Sequence, residues 1–353
     1  MPLVDRNYPK SYGQLRSWFT TDEACWDYLD WQRWPQGFVC PKCSGMDSWW
    51  MAGGIRRCTT CRARIRVTAG TIFQDTRTPL TVWFAVAWLM ATAKDGVSAQ
   101  AVQAQMEIGS YQTAWAMLHR FRKAMGHAGR EPLRGEVEVD ETFIGGFTAG
   151  RPGRSHGAKT IVIIGVEVLS PKGFGRVRAG VIDDASTPSL RGFLQGNVDP
   201  GAVVLSDGWK AYSTACGTTW THKPYPIKGS GSQAHEVLPG VHRVASLLKR
   251  WLMSTHQGSV RPEHLQAYLD EFCFRFNRRT SRAPGLRFLR LMQMAVAADP
   301  LTYRDMVVNP DPKSTPPIPP AVHRIAPDSL ERGLPGHPWR SSARSTTTQL
   351  EGP

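Results

Sequence analysis

Four cysteines carry the strongest local chemistry in this chain: Cys40 and Cys43 form one C-x2-C pair, and Cys58 and Cys61 form a second. Thiolates at that spacing come off two tight turns and can complete the tetrahedral shell of one structural Zn2+ ion. Trp49 to Met51 and Ile55 to Arg57 flank Gly53-Gly54, which predicts a hairpin between the two knuckles. Such a small unit could hardly fold without its metal. Arg56, Arg57, Arg62, Arg64 and Arg66 crowd the second knuckle. DNA contact is the functional reading of that crowding, and a structural or protein-docking ribbon is the plainer one. Cys25, Cys216 and Cys273 are scattered, which fits a reduced cytoplasm rather than a disulfide framework.

Two aspartates supply a second kind of chemistry. Asp140 ends the strand-like run GEVEVD, and Asp207 follows AVVLS and precedes Gly208-Trp209. Either alone reads as a solvated strand end. At the ends of adjacent strands they would converge and could hold two divalent ions, Mg2+ or Mn2+, against a phosphodiester. A third ligand is expected from the helix after the last strand. There His242 and Lys249 share one face, two helical turns apart. Val241, Val244, Ala245, Leu248, Trp251 and Leu252 form the neighbouring buried stripe. His242 could equally be a helix-start residue satisfied by backbone or solvent. Glu236 offers the harder oxygen ligand but stands in the Gly/Ser-rich run GSGSQAHEV, so His242, on firmer backbone, is the expected third site residue.

The elements that must position these groups can be read in outline. The fold expected is multidomain α/β: a zinc ribbon with a short N-terminal helix over 1–75, a helical segment over 76–130, a mixed-sheet catalytic domain over 131–299, and a Pro/Ser/Arg-rich disordered tail over 300–353. Thr20 to Glu23 reads as a capping box opening a helix through Trp31. Pro79 starts a helix to about Lys94. Helices at 98–107 and 111–125, joined by Gly109-Ser110, resemble a helix-turn-helix whose second member would show a basic face of Gln112, His119, Arg120, Arg122 and Lys123. Strands follow at 136–142, 160–168 and 175–182, then a helix, a strand at 202–205, a helical turn, a strand at 219–223, and helices from Val241 and Pro262. That is the order of a ribonuclease-H-like domain.

Bulk properties narrow the partner. Lys plus Arg number 43 against 29 Asp plus Glu, a formal charge of +14, so a polyanion is expected and nucleic acid first among them. An anionic membrane surface is disfavoured because no basic amphipathic helix of the interfacial kind is visible. The longest apolar run, Leu80 to Ala93, is too short to span a bilayer, and the first residues carry no signal-like apolar core.

Several stretches occur together in one order: FVCPKC with RRCTTCRARIRVTAGTIFQDTRTPL, then SYQTAWAMLHRFRKAM, VDETFIGG, LSDGWKAY, and HRVASLLKRWLMSTHQGSVRPEHLQAYLDEFCFRFNRR. In these, from about 15 to 296, the chain resembles bacterial insertion-sequence DDE transposases of the zinc-ribbon "fifteen-ninety-five" (ISXO-two-like) family. The resemblance implies cutting and joining of DNA at the inverted-repeat ends of a mobile element, in a cytoplasmic, nucleoid-associated protein that acts as a homo-oligomer on double-stranded DNA. By that match Asp140 is the first catalytic carboxylate, Asp207 the second, and Lys249 the basic residue after the third ligand. The wider DDE class often carries Glu at the third position, where this chain aligns His242. A non-catalytic DNA-binding relic and a structure-selective nuclease of the same fold are the rival readings.

Overall fold

The computed structural model describes residues 8–126, 131–145, 159–171, 173–225, 234–258 and 260–308. It opens with α1 (Tyr12–Trp18) and α2 (Asp22–Arg33). The cap of α2 is Thr21 rather than Thr20: its hydroxyl oxygen accepts from the Ala24 amide at 3.4 Å. The seven-residue α1 has one buried residue, Leu15, and therefore no stripe by which the sequence could show it. Strands β1 (Ser48–Met51), β2 (Ile55–Cys58) and β3 (Arg64–Arg66) then form an antiparallel sheet in that order. Gly53 and Gly54 make the β1–β2 turn at φ +76° and +67°, a region glycine enters without strain. The ribbon docks on α2 through Arg56, whose guanidinium grips Asp30 by two bonds of 2.9 and 2.5 Å.

Helices α3 (Leu80–Thr92), α4 (Ala99–Gln105) and α5 (Tyr111–Met125) follow. Pro79 precedes α3 without a cap bond of its own, and Asp22 accepts from the Leu80 and Thr81 amides instead, at 2.8 and 3.3 Å; Ser98 and Ser110 cap the other two. α3 is apolar on every side, as a helix covered all round must be. Only part of the basic face expected on α5 is on its surface: Gln112 and Lys123 are exposed. His119 and Arg122 are buried, and Arg120 is half-buried and donates to the Leu301 carbonyl at 2.8 Å. The reason is a second packing partner: α5 lies against a helix much later in the chain, whose Glu271 accepts from Arg122 at 2.8 Å.

The third region is built on β4 (Glu136–Ile144), β5 (Thr160–Val168), β6 (Phe174–Ile182), α6 (Thr187–Asn197), β7 (Val203–Ser206), α7 (Lys210–Cys216) and β8 (Thr221–Pro224). It ends in α8 (Ala234–Val237), α9 (Pro239–His256), a 3-10 turn at Pro262–His264, α10 (Leu265–Phe276), α11 (Pro284–Ala297) and α12 (Tyr303–Val308). The sheet runs β6-β5-β4-β7-β8, with β4, β7 and β8 parallel and β5 antiparallel to both its neighbours. One face packs on α9 and α10 through residues such as Val162, Ile164, Leu205, Val244 and Leu248. The other packs on α6 and α7 through Val137, Val139, Leu190 and Tyr212. This is the mixed-sheet architecture the sequence predicts.

Two boundaries differ from expectation. β4 continues past Asp140 to Ile144, because β5 offers it partners as far as Thr160, so Asp140 stands inside the strand instead of ending it. The disorder expected from residue 300 does not begin there: α12 buries Met306. The rest of the tail, 309–353, lies outside the described residues. Among the described residues no helix is long and apolar enough to cross a membrane.

Candidate functional site

The four cysteines of the ribbon come together. Their sulfurs all lie within 4.8 Å of one another, with Cys40 3.7 Å from Cys61 and Cys43 3.6 Å from Cys58. Four sulfurs each about 2.3 Å from a central ion must sit about 3.8 Å apart, so the donor set and its spacing fit tetrahedral Zn2+. β2 delivers Cys58, and the turn behind it brings Cys61 round so that its backbone N–H lowers the Cys58 thiol to about 6, toward the metal-binding thiolate. The wall is mixed: Cys40 and Cys58 are buried, Cys43 and Cys61 exposed. Of the neighbouring arginines, Arg62, Arg64 and Arg66 are exposed, whereas Arg56 is committed to Asp30.

The second site is assembled across the sheet. β4 and β7 are paired as far as Glu138 and Leu205, and Asp140 and Asp207 each lie two residues beyond that pair. Side chains in a strand repeat every second residue, so both carboxylates stand on the face where Leu205 meets α9. Asp140 carries a 2.9 Å bond from the Glu141 amide, and Asp207 accepts from the Trp209 amide at 3.0 Å, which turns the chain out of β7. α9 crosses above them. Its His242 brings Nε2 to 3.7 Å from Asp140 Oδ2, with both side chains half-buried.

Lys249 is exposed on the same helix; partial desolvation first, and the charge of Lys159 second, hold its amine below the ordinary lysine range. Glu236 stands exposed on α8. Among the described residues the cysteines form the only group of three or more ligating side chains whose donor atoms all lie within 4.8 Å. Asp140 and His242 are neighbours, and Asp207 stands at the level of Asp140 on the adjacent strand. Hard carboxylate oxygens with one imidazole suit a divalent ion, Mn2+ better than Mg2+.

Three features of this site were not read from the sequence. On the opposite face of β4, Glu141 accepts a 2.6 Å bond from the buried Tyr212 hydroxyl of α7. Burial, with the charges of Glu141, Asp140 and Asp207, holds that phenol well above its usual range, so it stays a donor. On the α9 face, Glu138 is buried and accepts from the Val241 amide at 2.8 Å. Burial pushes its carboxyl up, opposed by the Val241 and Gly240 amides. Lys159, beside Lys249, is the third. Alternation in EVEVD marks Glu138 as sharing a face with Asp140, but nothing local shows that a helix lies over it.

Residues 132–277 match the model of the ISXO2-like transposase domain, and residues 20–64 match that of the transposase zinc-ribbon domain. No curated protein matches the chain. Among solved structures, a chain from a cryo-electron microscopy structure of the simian T-cell lymphotropic virus intasome in complex with the PP2A regulatory subunit B56 gamma is 15% identical. The likeness covers 48% of this chain and 60% of that one at a TM-score of 0.26, too slight to carry an argument.

Proposed function

Because this chain belongs to the ISXO2-like, zinc-ribbon family of insertion-sequence DDE transposases, we propose that it binds the inverted-repeat ends of a mobile element, hydrolyses the end phosphodiester to expose a 3′-hydroxyl, and joins that hydroxyl to target DNA. The observation that carries this reading is the placement of Asp140, Asp207 and His242 around one end of the β4–β7 pair, within the span that matches the transposase domain.

In this reading Asp140 and Asp207 are the carboxylates that hold divalent metal, with His242 as the third ligand. Two such ions, when bound, supply activation of the attacking oxygen and neutralisation of the leaving one. Lys249 contacts a DNA phosphate beside the scissile bond, with Lys159 adding positive charge. In the first step water attacks the phosphorus and the element's 3′-oxygen leaves and takes up a proton. In the second that 3′-hydroxyl attacks a target phosphodiester, and the target's own 3′-oxygen leaves. The ribbon and the exposed Arg62, Arg64 and Arg66 hold end DNA, with affinity falling steeply as salt rises. Joining two element ends calls for at least two copies of the chain on double-stranded DNA. A cytoplasmic, nucleoid-associated setting follows from that substrate.

The test is an assay of full-length protein with labelled end DNA and a target plasmid in Mg2+ or Mn2+. Joined product supports the proposal. Cleavage with the 3′-hydroxyl never joined makes the chain a nuclease, and binding without cleavage makes it a non-catalytic relic.

A further inference from the structure

The first turn of α9 lacks a local cap. Pro239 at its start has no N–H, and no side chain near Leu238 caps the helix. Two amides, those of Gly240 and Val241, remain to be satisfied before the regular ladder begins. The His242 amide bonds the Leu238 carbonyl at 3.4 Å. The Val241 amide donates to Glu138 Oε2 at 2.8 Å, and the Gly240 amide beside it also favours the charged form of that carboxyl. The anion is therefore set at the positive end of an eighteen-residue helix, where the dipole favours it. Close approach is possible because residue 240 is glycine: a Cβ there would stand 2.9 Å from Glu138 Oε2 and 2.8 Å from the Phe174 ring. Glu138 is 3% exposed, so this contact is sealed from solvent.

The geometry couples two positions that matter for the reaction proposed above. Glu138 lies two residues before Asp140 on the same face of β4. Val241 lies immediately before His242. We propose that Glu138 is a positioning residue: by capping α9 from strand β4 it fixes where His242 stands relative to Asp140. It touches neither substrate nor metal and acts through the helix. This rests on Asp140 and His242 being the metal-holding pair. Outer partners that orient ligands are typically worth about 10–100-fold in metal affinity or activity.

The experiment is Mn2+ binding to the full-length, zinc-loaded protein, read from the electron paramagnetic resonance signal of free Mn2+ well below the melting temperature. Wild type is compared with E138Q, E138A and D140N. The amide oxygen of E138Q still accepts from the helix, so it should bind Mn2+ within about threefold of wild type, whereas E138A should bind about 10–100-fold more weakly. Zinc content should not change in either. A residue that merely stabilised the fold would lower the melting temperature of E138A and leave Mn2+ affinity alone. If E138A does not fold, G240A takes its place, since the added methyl must displace the same carboxylate, and it should also weaken Mn2+. E138A or G240A binding like wild type while D140N does not would overturn the positioning role and leave the proposed function intact. D140N binding like wild type would remove the metal site, and the proposal with it.

Discussion

The zinc ribbon and the proposed acidic site of this protein are built on different plans. The ribbon's four thiols come from two short turns of neighbouring chain, and they stand at near-tetrahedral spacing. The acidic site takes one residue from β4, one from the end of β7 and one from α9, and its side chains are drawn together less closely. A local site is fixed by the turns that make it. A site drawn from distant elements depends on braces that hold those elements in register. Here the braces are two further carboxylates of β4: Glu138 reaches α9, and Glu141 reaches Tyr212 of α7.

The comparison breaks most easily at the ribbon. Binding of structural zinc is worth about 10–16 kcal/mol in small zinc-finger peptides, so replacing Cys43 and Cys61 together by serine should abolish zinc content and unfold the ribbon. Elemental analysis and proteolysis would show it, with cleavage expected within 20–64 while β4 to α10 stay protected. Retention of one zinc per chain would sink the assignment. At the acidic site the effect should fall on chemistry. Asp140→Asn or Asp207→Asn should abolish end cleavage and leave end binding nearly intact, as gel shifts beside cleavage assays would report. Normal cleavage by either variant removes that residue from the site.

Two smaller effects sharpen the contrast. His242→Ala should lose cleavage and Glu236→Ala keep it, with wild type faster in Mn2+ than in Mg2+. The opposite pattern would move the third ligand to Glu236. Tyr212→Phe deletes one hydroxyl, leaving Glu141 short of a donor, and should cost about 1.5–3 kcal/mol of stability. The readouts are thermal melting and cleavage rate, and zinc content should not move. A Tyr212→Phe protein that melts and cuts like wild type would mean that Glu141 is no brace.

What the sequence made legible follows the same division. The cysteine pairs, the strand order and the apolar stripe of α9 all repeat at short, regular spacing, and each stands in the structure. Site geometry was legible only in part. The two aspartates fall at the same level of adjacent parallel strands, but nothing in GEVEVD announces that Glu138 will cap a helix 103 residues later. His119, Arg120 and Arg122 of α5 misled because amphipathic spacing cannot tell a solvated cation from one paired inside the protein. Arg122 is among the largest fully buried side chains, and its partner Glu271 belongs to α10. For the same reason residues 1–130 are a poor unit for testing DNA binding in isolation: severed from α10, Arg122 would be left without its carboxylate.

The order in which the chain is synthesised gives the α11 packing a further meaning. Phe288 of α11 sits among the rings of Phe19, Tyr28, Phe84 and Trp88, at centroid distances of 6.3, 6.2, 5.9 and 5.9 Å. The helices made first therefore wait for nearly the last one before their core can close, and the whole sheet is translated in between. A ribosome that stops before residue 284 releases a chain whose ribbon can still take zinc but whose α3 is left uncovered. Such early-terminated copies should aggregate or be degraded rather than persist as competitors for DNA ends.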